Sequence, residues 1–271
     1  MTTFDPTTFA TISTAQIVSD WQMSDDIAFL EDASDAARYD RCKLSVFHPK
    51  AQTGTPVLIF LHGGGLTGGD HHGTPELYKH LGCVLVSPTY RLYPTAKYPD
   101  FLDDAAAALA WTKKHIAEFG GDPNKIFVSG HSAGAYLTTC LVLMPEFLKR
   151  QGLTPFDFAG FIPISGSMVT HYAVQLERTG SNNKIIVDDA APLNHALKET
   201  PPLLILCGEP GLDFGSRPSD NRLMGHALRD AGNTAFEQYE VPCMDHGSIL
   251  DAAYAYLLKF IRRLMTPPAA S

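Results

Sequence analysis

One stretch near the middle of the chain limits the possible folds more than any other. Residues 126–129, Ile-Phe-Val-Ser, form an apolar run of strand length, and Gly130-His131-Ser132-Ala133-Gly134 follows with no spacer. Residues 133–143 then carry the composition of a buried helix. The order is strand, sharp turn, helix, with a serine at the apex. Two glycines bracket the serine because the turn is crowded: a side chain at Gly130 or Gly134 would run into the neighbouring strand or helix. A strand that turns directly into a helix is half of a parallel crossover unit, so a parallel sheet is expected.

The rest of the chain repeats that rhythm. Strands are predicted over 42–47, 57–61, 84–87, 126–129, 161–165, 203–207 and 236–241, and helices over 101–119, 133–143, 221–231 and 249–264. Several strands are continuous apolar runs, as expected of a sheet covered on both faces. The alternation predicts an α/β fold: a doubly wound, mostly parallel sheet with helices on both faces. At 271 residues, 45% apolar and 18% charged, the chain suits one packed domain. We place it at 41–265. Residues 1–40 form an N-terminal segment that could serve as a partial lid through Trp21, Met23 and Phe29, and 266–271 form a frayed tail.

The apex serine has companions. The form G-x-S-x-G describes a nucleophile elbow, which exposes the Ser132 hydroxyl and sets the Ala133 N–H beside it at a helix N-terminus. His62-Gly63-Gly64-Gly65 follows an apolar strand, and the Gly64 and Gly65 N–H groups could join Ala133 as an oxyanion hole. His62 reads as a scaffold histidine beneath that loop. His246 lies on a loop between the last strand and the last helix, where an imidazole could take the serine proton. A carboxylate should orient it, and the loop after residues 203–207 offers two: Asp213, which we prefer, and Glu209. The chain order Ser, Asp/Glu, His is that of hydrolases with this elbow.

On these motifs, together with Tyr90-Arg91-Leu92-Tyr93-Pro94, Phe119-Gly120-Gly121-Asp122-Pro123 and Asp245-His246-Gly247, the chain resembles α/β-hydrolase-fold carboxylesterases of the hormone-sensitive-lipase-like and bacterial feruloyl/acetyl esterase kind. The resemblance runs from about residue 40 to the end. It implies Ser132 as nucleophile, His246 as base, Gly64 and Gly65 as oxyanion donors, and an acid about thirty residues before the histidine, which suits Asp213. Many relatives carry the acid where this chain has Gly211. The implied activity is hydrolysis of short-acyl carboxylic esters with no cofactor. An arylformamidase-type amide hydrolase, a carbohydrate acetyl or feruloyl esterase, and a catalytically silent binding protein are the alternatives. His131, Leu66 and His71 are the expected substrate contacts.

Charge and composition narrow the partners. A net charge of −8 with no basic patch argues against nucleic acid. No run is long enough to span a bilayer, and the N-terminus lacks the features of a signal peptide, so a cytoplasmic protein, monomer or homodimer, acting on a small ester is expected. Five scattered cysteines read as reduced thiols, with Cys83, Cys140 and Cys207 in the core. Asp70-His71-His72 lacks a partner pair at ligand spacing, so no metal is expected there; a loop at the substrate mouth is. Ser165-Gly166-Ser167 could line the pocket, Asp103 and Asp104 should stabilise a helix N-terminus, and Asp188 and Asp189 read as turn residues or pocket rim rather than the acid. Residues 169–197 are the one sizeable insertion after the elbow, too short for a large cap, so a rather open site for a compact acyl group is expected.

Overall fold

In the computed structural model, which describes residues 20–30, 32 and 34–266, eight strands form one sheet in the order β1-β2-β4-β3-β5-β6-β7-β8. The strands are β1 (Trp21–Ala28), β2 (Lys43–Pro49), β3 (Thr55–Leu61), β4 (Val84–Pro88), β5 (Gly121–His131), β6 (Gly160–Ile164), β7 (Leu203–Cys207) and β8 (Phe236–Glu240). β2 runs antiparallel to both its neighbours, and every pairing from β4 to β8 is parallel. The helices among the described residues are α1 (Ala36–Arg41), α2 (Asp100–His115), α3 (Ala133–Leu143), α4 (Glu146–Lys149), α5 (Tyr172–Thr179), α6 (Arg217–Asp230) and α7 (Ile249–Met265). Together these make an α/β-hydrolase fold.

Strand pleat sends alternate side chains to opposite faces, and two cores result. Val57, Ile59 and Leu61 of β3 pack with α2, α3 and α6 on one face. Leu58 and Phe60 meet α7 on the other, which contributes Ile249, Ala253, Leu257, Phe260 and Ile261. That helix buries one stripe at helical spacing, whereas every residue of α3 is buried, which fits its nearly all-apolar sequence; Thr138 and Thr139 return their hydroxyls to the helix backbone.

Two expectations change. Residues 21–28, expected to belong to a lid segment, form the edge strand β1, and Trp21 stacks on Phe47 with ring centroids 5.2 Å apart. β2, β4 and β3 lie between β1 and the serine-bearing strand β5. The described part of the segment before residue 41 is therefore sheet edge and helix α1; residues 1–19, and the expected frayed tail from 267 on, lie outside the described residues. Asp104 is not an exposed helix-start residue. It is fully buried and takes the guanidinium groups of Arg38 and Arg91, each at 2.7 Å, because α2 starts at Asp100 and turns Asp104 inward. Asp103 does stay in the first turn, paired with Arg150 at 2.7 Å.

The elbow glycines are dictated by backbone. A Cβ on Gly134 would overlap the Leu61 carbonyl oxygen and lie 2.6 Å from that of His62; one on Gly130 would lie 2.9 Å from Leu61 O. Neither backbone carbonyl can yield as a flexible side chain could. Gly134→Ala is expected to cost more than about 3 kcal/mol, the upper end of ordinary overpacking, which lowers Tm by roughly 10 °C. A thermal melt within a few degrees of wild type would show that β3 and α3 can separate.

Candidate active site

The C-terminal ends of parallel strands share one edge of the sheet, the usual place for a site in such folds. Five strands adjacent in the sheet order β3-β5-β6-β7-β8 deliver the candidate residues there. The Gly63–Gly65 run follows β3, Ser132 follows β5, Ser165 follows β6, Asp213 follows β7 and His246 follows β8.

Ser132 sits at φ 56°, ψ −112°, a conformation an L-residue holds only when its surroundings impose it. Its N–H donates to Ile164 O at 2.9 Å, and α3 begins at Ala133. The Ala133 N–H is the first of that helix, a group an α-helix leaves without an internal partner. The Ser132 Oγ lies 2.9 Å from His246 Nε2, and His246 Nδ1 lies 2.7 Å from Asp213 Oδ1. The structure thus brings Ser132, His246 and Asp213 into one hydrogen-bonded line.

Asp213 is 5% exposed and saturated with donors. Oδ1 accepts from His246 and the Phe214 N–H, and Oδ2 accepts from the Gly208 N–H at 2.8 Å and Ser165 Oγ at 2.6 Å. Burial pushes this carboxyl up, but the bonds from His246, Ser165, Gly208 and Phe214 outweigh it and hold it well below the usual carboxylate range. Glu209, the alternative acid, instead accepts the Cys243 N–H at 2.6 Å and so ties the Asp213 loop to the His246 loop. Ser165, expected to line a pocket, supports the acid from a backbone at φ 51°. Nothing in its sequence context distinguishes that role; the contact depends on β6 and β7 being neighbours.

The glycine run adopts positive φ at Gly64 (103°) and Gly65 (67°), and a Cβ on Gly65 would fall on the Tyr172 hydroxyl. His62 lies beneath it. Its ring stacks on Tyr90 at 4.3 Å, and Nδ1–H donates to Gly63 O at 2.6 Å. Burial pulls His62 down to about 4, against the Gly63 bond, which raises it. The folded chain therefore keeps His62 neutral where the unfolded chain would take a proton. The stability this contributes is complete above about 6.5, the ordinary histidine value, and is lost as pH falls toward 4. His62→Gln is expected to flatten the decline of Tm between pH 6.5 and 4; a decline as steep as wild type would place its source elsewhere.

The expected substrate contacts fare differently. His131 Nε2 donates to the His246 carbonyl at 2.7 Å, holding the loop of the candidate base. Leu66 is fully buried in the core and presents no surface to a ligand. His71 is not beside Ser132. Its Nε2 lies 3.4 Å from Asp25 Oδ1 and 3.5 Å from Asp26 Oδ1, at the bulge of β1, and it lines a separate cavity with Met23, Phe47 and His72. Donor atoms of Asp25, His71 and His72 lie within 4.8 Å of one another, a grouping hidden from the sequence because β1 was not legible as a strand. Asp188 and Asp189 pair with Arg178 at 2.7 and 2.6 Å, as turn residues can. All five cysteines are free, and burial pushes Cys83 and Cys207 up to about 12. No helix among the described residues is long and apolar enough to cross a membrane.

Beside the Ser132 line lies a cavity of about 330 Å³, walled by Tyr172, Gln175, Lys184, Phe214 and Arg217 among others. Its outer wall is α5 and the loop after it, the middle of the 169–197 insertion.

Comparison with known proteins places the chain in a family. The chain is 33% identical over 180 residues to "Probable carboxylic ester hydrolase LipM" of Mycobacterium tuberculosis, covering 58% of this chain and 41% of that protein. It is 29% identical over 221 residues to "Esterase LipQ" of the same organism, covering 73% and 51%. The chain therefore spans about half the length of these curated relatives. Among solved structures, the "Truncated form of carbohydrate esterase from gut microbiota" superposes with a TM-score of 0.75 at 15% identity, over 90% of this chain and 96% of that one. Esterase B from Lactobacillus rhamnosis does so with 0.74 at 16%, over 90% and 86%. At such identities the likeness speaks for the fold alone. Residues 19–188 match the family described as Carboxylesterase family, and by that match, well over half of its length, the chain belongs to the carboxylesterases.

Proposed function

We propose that the protein is a serine hydrolase that cleaves carboxylic esters with short acyl groups through an acyl-enzyme on Ser132. The observation that carries this reading is the continuous line from Ser132 Oγ through His246 to Asp213, at 2.9 and 2.7 Å. His246 takes the Ser132 proton as the oxygen attacks the ester carbonyl. The ionised Asp213 fixes the Nδ1–H tautomer, so that Nε2 faces the serine with its lone pair, and it stabilises the imidazolium that forms. The N–H groups of Gly64, Gly65 and Ala133 receive the charge that develops on the carbonyl oxygen. His246 then protonates the departing alcohol, and a water molecule repeats the sequence to release the acid.

Hydrolysis of p-nitrophenyl esters from acetate to octanoate tests the reading. Activity is expected to fall as the acyl chain lengthens. Octanoate turned over faster than acetate would overturn the compact acyl site. A folded protein inactive on every ester, but active on N-formyl amides, would assign the same machinery to formamide hydrolysis.

A further inference from the structure

The cavity beside the reaction centre has an unusual wall. Arg217 opens α6, lines the cavity, and has a side chain only 7% exposed. A guanidinium this deep normally meets a carboxylate through short, paired hydrogen bonds. Its charged neighbour Asp220 is 4.0 Å away, beyond hydrogen-bond reach, and the Arg217 Nε has no protein partner. Buried polar atoms on its own helix, Asp220 Oδ1 and Asn221 Oδ1, on the cavity wall, Gln175 Oε1, and on His171, Nε2, are likewise without a hydrogen bond. Burial pushes Asp220 up to about 6, with Arg217 lowering it, and its Oδ2 accepts the Met168 N–H rather than a guanidinium hydrogen. The cavity wall adds a second cation, Lys184, and no acidic side chain is among its described lining residues. Buried charge and unmet hydrogen-bonding capacity are costly in a folded protein unless a ligand completes them.

This cavity reaches the reaction centre through two walls. Tyr172 places its hydroxyl against Gly65, one of the oxyanion glycines. The Phe214 ring lies 5.5 Å from the His246 ring, and the Arg217 guanidinium lies 5.8 Å from the Phe214 ring centroid. A substrate held at Ser132 would therefore extend one of its two halves toward Arg217.

We propose that the cavity recognises a carboxylate carried by the substrate ester, with Arg217 as its anchor and Lys184 as a supporting charge. The inference rests on the hydrolase reading of Ser132 and names the class of ester it serves: one that bears a negative charge a few bonds from the scissile carbonyl.

Two pairs of esters that differ only in charge test it. 4-Acetoxybenzoate against 4-acetoxybenzamide carries the difference on the leaving side; monoethyl succinate against ethyl succinamate carries it on the acyl side. In one pair kcat/KM is expected to be at least about tenfold higher for the carboxylate, the value of one charged hydrogen bond, with the difference in KM. The ratio should fall toward one in Arg217→Gln and part of the way in Lys184→Gln, a substitution outside the core. Arg217→Lys should retain part of it. Equal kcat/KM within both pairs, or a preference that Arg217→Gln keeps, overturns the proposal. Calorimetric titration of Ser132→Ala with 4-acetoxybenzoate and with monoethyl succinate reads the cavity without turnover. Saturable binding that Arg217→Gln removes supports the proposal, and no binding of either overturns it. If neither member of either pair is hydrolysed but Arg217-dependent binding is found, the hydrolase reading fails and the anion site stands.

Discussion

Ser132→Ala is expected to lower turnover of p-nitrophenyl acetate by about a millionfold while leaving the fold intact. Removal of a nucleophile stops the covalent step altogether, and what remains comes from substrate binding and the oxyanion donors. The thermal melt should hardly move. Ala and Ser bear the same Cβ at the strained φ of 56°, and the Ser132 N–H keeps its bond to Ile164 O in either case. The measurement is therefore a pair: initial rates, and Tm of the same sample. A variant that melts like wild type and retains a hundredth of the rate would remove Ser132 from the chemistry.

The second large effect belongs to Asp213. Asp213→Asn should lower kcat by about ten-thousandfold, because an amide can present its NH2 to Nδ1 and reverse the imidazole tautomer. This site makes matters worse for the amide. Four donors, from His246, Phe214, Gly208 and Ser165, converge on the two carboxylate oxygens. An asparagine has one oxygen to offer, so one pair of donors faces an NH2 group, at a cost of about 1–3 kcal/mol for each buried partner left unmet. The rate loss should come with a lower Tm. Glu209→Gln is the contrasting variant: its amide oxygen can still accept the Cys243 N–H, and most of the activity should remain. The opposite ranking of the two variants would make Glu209 the acid. The pH dependence has a definite sign. The folded carboxyl of Asp213 lies below its ordinary 3.8, so its contribution to stability is complete above that value and is lost only as pH falls further.

The parallel core was legible because its strands are continuous apolar runs and its helices keep helical spacing. The edge was not. Trp21–Ala28 contains Ser24-Asp25-Asp26, three polar residues at a register shift, and a bulged, half-exposed strand shows no clean alternation. Helix α6 begins at Arg217, four residues before the expected start. Pro218 stands in its first turn, where proline is tolerated, and the helix can therefore start ahead of the apolar stripe. At the site, Ser132 and His246 could be read because each follows its own strand in a recognisable local pattern. The spacing that the resemblance implies favours Asp213 over Glu209, but how the two loops face one another is not written in it. The same holds for Ser165, whose partner Asp213 lies 48 residues away, and for Arg217, whose place in a cavity wall depends on the fold.

The proton line and the outer wall of the cavity come from different parts of the chain, although the inner wall, Phe214 to Arg217, continues the Asp213 loop. Ser132, His246 and Asp213 are anchored to β5, β8 and β7, whereas the outer wall of the cavity belongs to α5 and the loop after it. Substrate range can therefore drift through changes in a surface insertion without retuning the chemistry, which makes this scaffold easy to diversify. Tyr172 and Phe214 are the exceptions. The Tyr172 hydroxyl lies against Gly65 and the Phe214 N–H bonds Asp213, so a change at either would be inherited by both the wall and the Ser132 line. Evolutionary freedom in this protein should thus be greatest at residues such as Ile185 at the rim of the insertion and least at Tyr172 and Phe214, where selectivity and rate can only change together.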